Sequence, residues 1–199
     1  MKKTLLAVII AFAAVLPTAG QGVHVSVLGG YSVFGSTNGF NIKDSFSGSA
    51  IIGKPVGYGR VVELSYHRQD THLEDLVISG TTNLFDMTVE YFQIGAAQEM
   101  APGADTTPYG LFSFGAVRYN PKDIELSDEW RFAINLGGGL KHSLNDTIGL
   151  RLSALLMMPM NLSGGDIFCG KHGCVSSAGT ILMFVQAEFQ AGLVCKLGS

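Results

Sequence analysis

Residues 181–197, ILMFVQAEFQAGLVCKL, alternate along their whole length. Ile181, Met183, Val185, Ala187, Phe189, Ala191, Leu193, Cys195 and Leu197 share one face, with Gln186, Glu188, Gln190 and Lys196 on the other. A period of two is the mark of a β-strand with unlike faces. At about 3.3 Å per residue such a strand exceeds roughly 50 Å, whereas ordinary strands have about five or six residues. A sheet built from it keeps one apolar face over an unusual depth.

The same pattern recurs upstream. Trp130, Phe132, Ile134, Leu136 and Leu140 oppose Arg131, Asn135, Gly137, Gly139 and Lys141. The chain turns at Leu144-Asn145-Asp146 and returns with Ile148, Leu150, Leu152, Ala154 and Leu156 against Gly149, Arg151 and Ser153. This is a hairpin with turn residues at its tip. VHVSVLGGYSV sets Val23, Val25, Val27 and Tyr31 against His24, Ser26 and Gly30, and RVVELSYHR sets Val62, Leu64 and Tyr66 against Glu63, Ser65 and His67. In FDMTVEYF, Phe85, Met87, Val89 and Tyr91 form the apolar face, with Asp86, Thr88 and Glu90 opposite. Residues 47–56 and 108–119 complete eight strands, the phase of 108–119 being open. Tight links at 57–59, 100–107 and 143–146 alternate with longer polar ones at 35–46, 69–83, 120–129 and 161–179.

Charged residues make up only 15% of the chain, and glycine is abundant at 26 residues, which disfavours helical bundles. No basic cluster suited to nucleic acid is present. Lys2 and Lys3, the apolar run 5–16 and the small-residue exit Pro17-Thr18-Ala19-Gly20 form a secretory signal over residues 1–20, leaving 21–199 as one domain. Its removal takes 13 Lys and Arg to 11, against 16 Asp and Glu. Cysteines of an exported chain tend to pair. In CGKHGC a Cys169–Cys174 disulfide is the simpler reading beside a metal site that adds His172; Cys195 falls on the apolar face.

Alternation alone fits a soluble calycin-like lipid binder with its apolar face inward as well as a membrane barrel with that face outward. The small and oppositely charged residues of the polar face decide for the membrane barrel, because an eight-stranded interior is just wide enough for side chains to fill. Glu63, Glu90, Arg131, Lys141, Arg151 and Glu188 are then expected to form an interior charge network. Tyr31, Tyr66, Tyr91, Tyr109, Tyr119 and Trp130, toward segment ends, are expected at the bilayer interfaces.

VVELSYHRQDTHLE and AINLGGGLKHSLNDTIGLRLSALL resemble the small outer-membrane β-barrel family, of the kind grouped with the OmpA transmembrane domain and OmpX. The resemblance covers about Val23 to Leu197. It implies an all-β fold, a closed eight-stranded antiparallel up-and-down transmembrane β-barrel in the cell outer membrane. Two departures are the ending Leu197-Gly198-Ser199, where the family usually closes on an aromatic residue, and the lack of a following peptidoglycan-binding domain. The expected partners are outer-membrane lipids, the barrel assembly machinery, and an extracellular ligand or host surface. The expected state is a monomer with no cofactor, metal, nucleic acid or catalytic residue. Its role is expected to be structural or surface-interactive. A narrow channel for small or hydrophobic solutes is an alternative. A lipid-A-modifying enzyme is another, with His24 and Ser26, or the adjacent His142 and Ser143, as candidate His–Ser pairs, neither with an acidic third member.

Overall fold

The computed structural model describes residues 22–35, 40–77, 80–122, 127–160, 168–170, 173–175 and 185–198, giving backbone alone at 40, 75–77, 80–83, 168–170 and 173–175. The signal segment lies outside the described residues. Eight long strands form the wall: β1 (Val23–Phe34), β2 (Ser45–Gly57), β3 (Arg60–Val77), β4 (Gly80–Glu99), β5 (Thr106–Pro121), β6 (Glu129–Ser143), β7 (Ile148–Met160) and β8 (Gln186–Leu197). Each pairs antiparallel with the next, and β8 pairs with β1 from Val23↔Leu197 to Phe34↔Gln186. The sheet closes on itself, which removes the edges that hydrocarbon does not tolerate. Three connections at one end are tight. The sharpest is Gly57-Tyr58-Gly59, where φ is +93°, +53° and +69°.

Side chains alternate in and out along every strand. On β7, Ile148, Leu150, Leu152 and Leu156 face outward and are exposed, whereas Gly149, Arg151, Ser153, Leu155 and Met157 face inward and are buried. Glycine is used where strands crowd. A Cβ on Gly139 would stand 1.8 Å from the Leu152 carbonyl oxygen and 3.0 Å from the Tyr109 hydroxyl. The bare inner face of β6 there makes room for the Tyr109 ring.

The expected loop at 69–83 is strand instead: β3 runs to Val77 and β4 begins at Gly80. The face expected outward on β4 also points inward, with Met87, Val89 and Tyr91 buried inside and Glu90 on the outer wall. Both differences have one cause. The barrel rises beyond the apolar band, and there the outer face meets water while the inside holds an apolar cluster with Phe34, Ile42, Leu73, Met87, Val89, Tyr91, Val117 and Met157. The alternation continues with its chemistry reversed. On β5 the open phase resolves with Tyr109, Ser113, Val117 and Tyr119 inward and Phe112 and Phe114 outward. Apolar residues on both faces hide it in the sequence.

Of the six expected interfacial aromatics, Tyr31, Tyr66 and Trp130 face outward; Tyr91, Tyr109 and Tyr119 are buried inside, their hydroxyls and rings filling the lumen. Gly139→Val should lower the denaturant midpoint of the refolded barrel, by roughly 1–3 kcal/mol of overpacking, and urea titration of folded and variant protein measures it.

Candidate functional site

The lumen is arranged in layers. At the end with the tight turns, Arg151 donates from Nη1 and Nη2 to Glu63 Oε1 and Oε2 at 2.8 and 2.9 Å. Both side chains are nearly inaccessible, at 2% and 4%. A bidentate guanidinium–carboxylate pair is among the stronger polar contacts, and here it stands in for water on both ions. Lys141 Nζ reaches Glu99 at 2.9 Å and Glu63 at 3.9 Å. The Tyr109 ring lies between the two cations, 4.8 Å from the Arg151 guanidinium carbon and 5.2 Å from Lys141 Nζ. Its hydroxyl accepts from Arg151 Nε at 3.1 Å and shares a 2.6 Å hydrogen bond with Ser153 Oγ. Two cations and two carboxylates thus neutralise one another around one ring, forming a plug.

Midway along the lumen, Glu188 is fully buried between His67 Nδ1 at 2.8 Å and Ser32 Oγ, which donates at 3.2 Å. The carboxylate stands between serine and imidazole, so this trio lacks the serine–imidazole contact of nucleophilic catalysis. Gln186 Nε2 donates to Ser32 Oγ and Gln69 Oε1, and Ser49 Oγ donates to Gln190 Oε1. Gln93 and Asn135 are buried beside this layer with both amide atoms unpaired by protein. The apolar cluster lies beyond, toward the long connections.

Five of the six expected network charges line the lumen, in three groups, and the sixth lies outside it. Glu63, Lys141 and Arg151 meet in the plug; Glu188 pairs with His67; Arg131 faces inward but pairs with Glu129 near the other rim. Glu90 is outside the lumen. Its carboxylate accepts from Tyr66 Oη at 2.6 Å and Arg118 Nη1 at 3.0 Å, on the outer wall above the apolar band. His67 was read onto the polar face but not into the charge network, and Glu99 and Tyr109 are lumen residues that sequence reading missed. Continued alternation on β4 was the available signal for Glu99, whereas apolar residues on both faces of β5 left none for Tyr109. Of the neighbouring His–Ser pairs, His142 faces outward beside Thr106 while Ser143 faces inward toward Lys196. His24 and Ser26 share the inner face, and His24 Nδ1 has no protein partner. Cys195 is half-buried on the outer face. The backbones of Phe168–Gly170 and Gly173–Val175 pair with Cys169 opposite Cys174. The side chains of that expected disulfide, and His172, lie outside the described residues.

Similar solved structures share this architecture. Neisserial surface protein A superposes with a TM-score of 0.64 at 12% identity, over 90% of this chain and 100% of the other. The outer membrane protein OprG from Pseudomonas aeruginosa gives 0.58 at 13% identity, over 90% and 97%. The chain is folded as a small outer-membrane β-barrel. No family model matches the sequence, and no curated protein does.

Arg151→Leu should destabilise the barrel by about 3–5 kcal/mol, because Glu63 is left buried without its main partner. Glu63→Leu combined with Arg151→Leu should recover most of the loss. A double-mutant cycle on unfolding midpoints tests the pairing.

Proposed function

We propose that the protein is an integral outer-membrane protein whose barrel is a closed, non-catalytic scaffold and whose working surface is the rim carrying the long connections. The observation that supports this is the filled lumen. The plug of Arg151, Glu63, Lys141 and Tyr109 bars one half, and the apolar cluster around Met87, Tyr91 and Met157 fills the other. Past the apolar band, β3 and β4 keep pairing with each other up to Val77↔Gly80, holding a hairpin above the wall. Such a device suits contact with an extracellular ligand or host surface, or mechanical support of the envelope, by a monomer assembled by the barrel machinery.

A narrow channel is the second reading, favoured by the unpaired amides of Gln93 and Asn135. Buried amides without protein partners are commonly satisfied by water, which suits a wet compartment between the two filled layers. Planar-bilayer recording separates the readings. The wild-type protein should give no unitary current, and well-resolved steps from it would establish the channel instead.

A further inference from the structure

We propose that the mouth of the lumen at the tight-turn end binds a small zwitterion, an ammonium and a carboxylate on one carbon as in an α-amino acid. This site lies at the opposite end from the working rim described above. Short turns of such barrels face the periplasm, so the ligand is a periplasmic one.

The plug gives this mouth a floor. A cavity of about 450 Å³ opens from Lys141 and Glu99 toward solvent, between the turns at 100–105 and 143–147. Lys141 and Glu99 neutralise each other at 2.9 Å. The other charged residues along the cavity are Lys196, Asp105 and Asp146. None of these three takes part in an ion pair among the described residues. The two imidazoles of the lining are His142, held by Thr106 Oγ1 at 2.8 Å, and His24, whose Nδ1 has no protein partner.

Lys196 stands directly opposite His24 across the seam of β1 and β8. Its half-buried ammonium donates to Ser143 Oγ at 3.2 Å, a hydroxyl where a carboxylate is the usual partner. Carboxylates are near along the backbone. Ser143 N donates to the Asp105 carbonyl at 2.7 Å, and Lys196 N donates at 2.7 Å to the carbonyl of Thr147, the residue after Asp146. Both turns are pinned from within. Thr107 Oγ1 donates to the Ala101 and Ala104 carbonyls at 3.1 and 3.0 Å, and Asn145 Oδ1 accepts from Thr147 N and Ile148 N at 2.9 and 2.7 Å. Asp105 and Asp146 are therefore held out on the rim instead of closing onto Lys196.

The arrangement of signs selects the ligand. A simple anion would meet Lys196 but also the repulsion of two carboxylates. A simple amine would leave Lys196 without an acceptor. No group of three metal-ligating side chains is present among the described residues. A zwitterion satisfies both signs at once: its carboxylate accepts from Lys196 beside His24, and its ammonium donates to Asp105 and Asp146. The same head occurs in free amino acids and at the ends of cell-wall peptides.

The test is an NMR titration of the folded full-length barrel in detergent, following amides around the mouth, with alanine, alanine methyl ester and N-acetylalanine. Alanine should give a saturable shift. The ester, lacking the carboxylate, and the N-acetyl form, lacking the ammonium, should each bind about tenfold more weakly, the loss of one hydrogen bond between charged groups. Lys196→Met should weaken alanine by a similar factor and bring it level with the ester, whereas Lys196→Arg should keep the binding. Asp105→Asn combined with Asp146→Asn should bring alanine level with N-acetylalanine. Arg60→Glu, beside the third tight turn, should change nothing. Retention of the wild type on purified cell-wall sacculi, lost in Lys196→Met, assigns the wall peptide as the source; an alanine shift without retention assigns the free amino acid. The site is overturned if neither ligand binds, if both blocked forms match alanine, or if Lys196→Met binds as the wild type does while keeping its boiling-dependent gel shift.

Discussion

Everything in this molecule depends on the pairing of its first strand with its last. Twelve residue pairs, from Val23↔Leu197 to Phe34↔Gln186, join β1 to β8. Without that seam two strands would present unpaired amides to hydrocarbon, where each unsatisfied group is very costly. With it, the outer face can be wholly apolar, because no backbone group there needs water. The closed ring in turn sets an interior too narrow for solvent to screen charges. That is why Glu63 and Arg151 are held face to face, and why a glycine at 139 is needed where the Tyr109 ring fills the space.

Closure also explains how far the fold could be read from sequence. Where a strand lies within the bilayer, apolar residues point out and small or charged ones point in, so β1, β6, β7 and the lower half of β3 were legible from alternation alone. Above the bilayer the solvent changes and the pattern inverts. The stretch around Gln69, Thr71 and Leu73 carries its apolar member inward, and a reader expecting apolar-out sees only a polar loop. Met87, Val89 and Tyr91 were assigned to the wrong face for the same reason, and Glu90 with them. The alternation was visible in each case; which side was wet was not.

The lumen was legible in its members and not in its partnerships. Glu63, Lys141, Arg151 and Glu188 are identified by a charge on the small-residue face. Yet Glu63 and Arg151 lie 88 residues apart, and what brings them together is the stagger of strands around the ring, which no local pattern encodes. Glu188 was expected to hold a fixed cation and holds His67 instead.

The unequal length of the strands has a further consequence. β5 accompanies β4 only as far as Met87↔Pro121, so among the described residues β4 from Gly80 to Phe85 has β3 on one side and no strand on the other. A wall without edges inside the lipid thus ends, among the described residues, in a border above it where β4 has a strand partner on one side. Water tolerates such a border, and so does an incoming extended segment, which can dock there by backbone geometry alone. The described wall is closed around the apolar band and open along one strand above it.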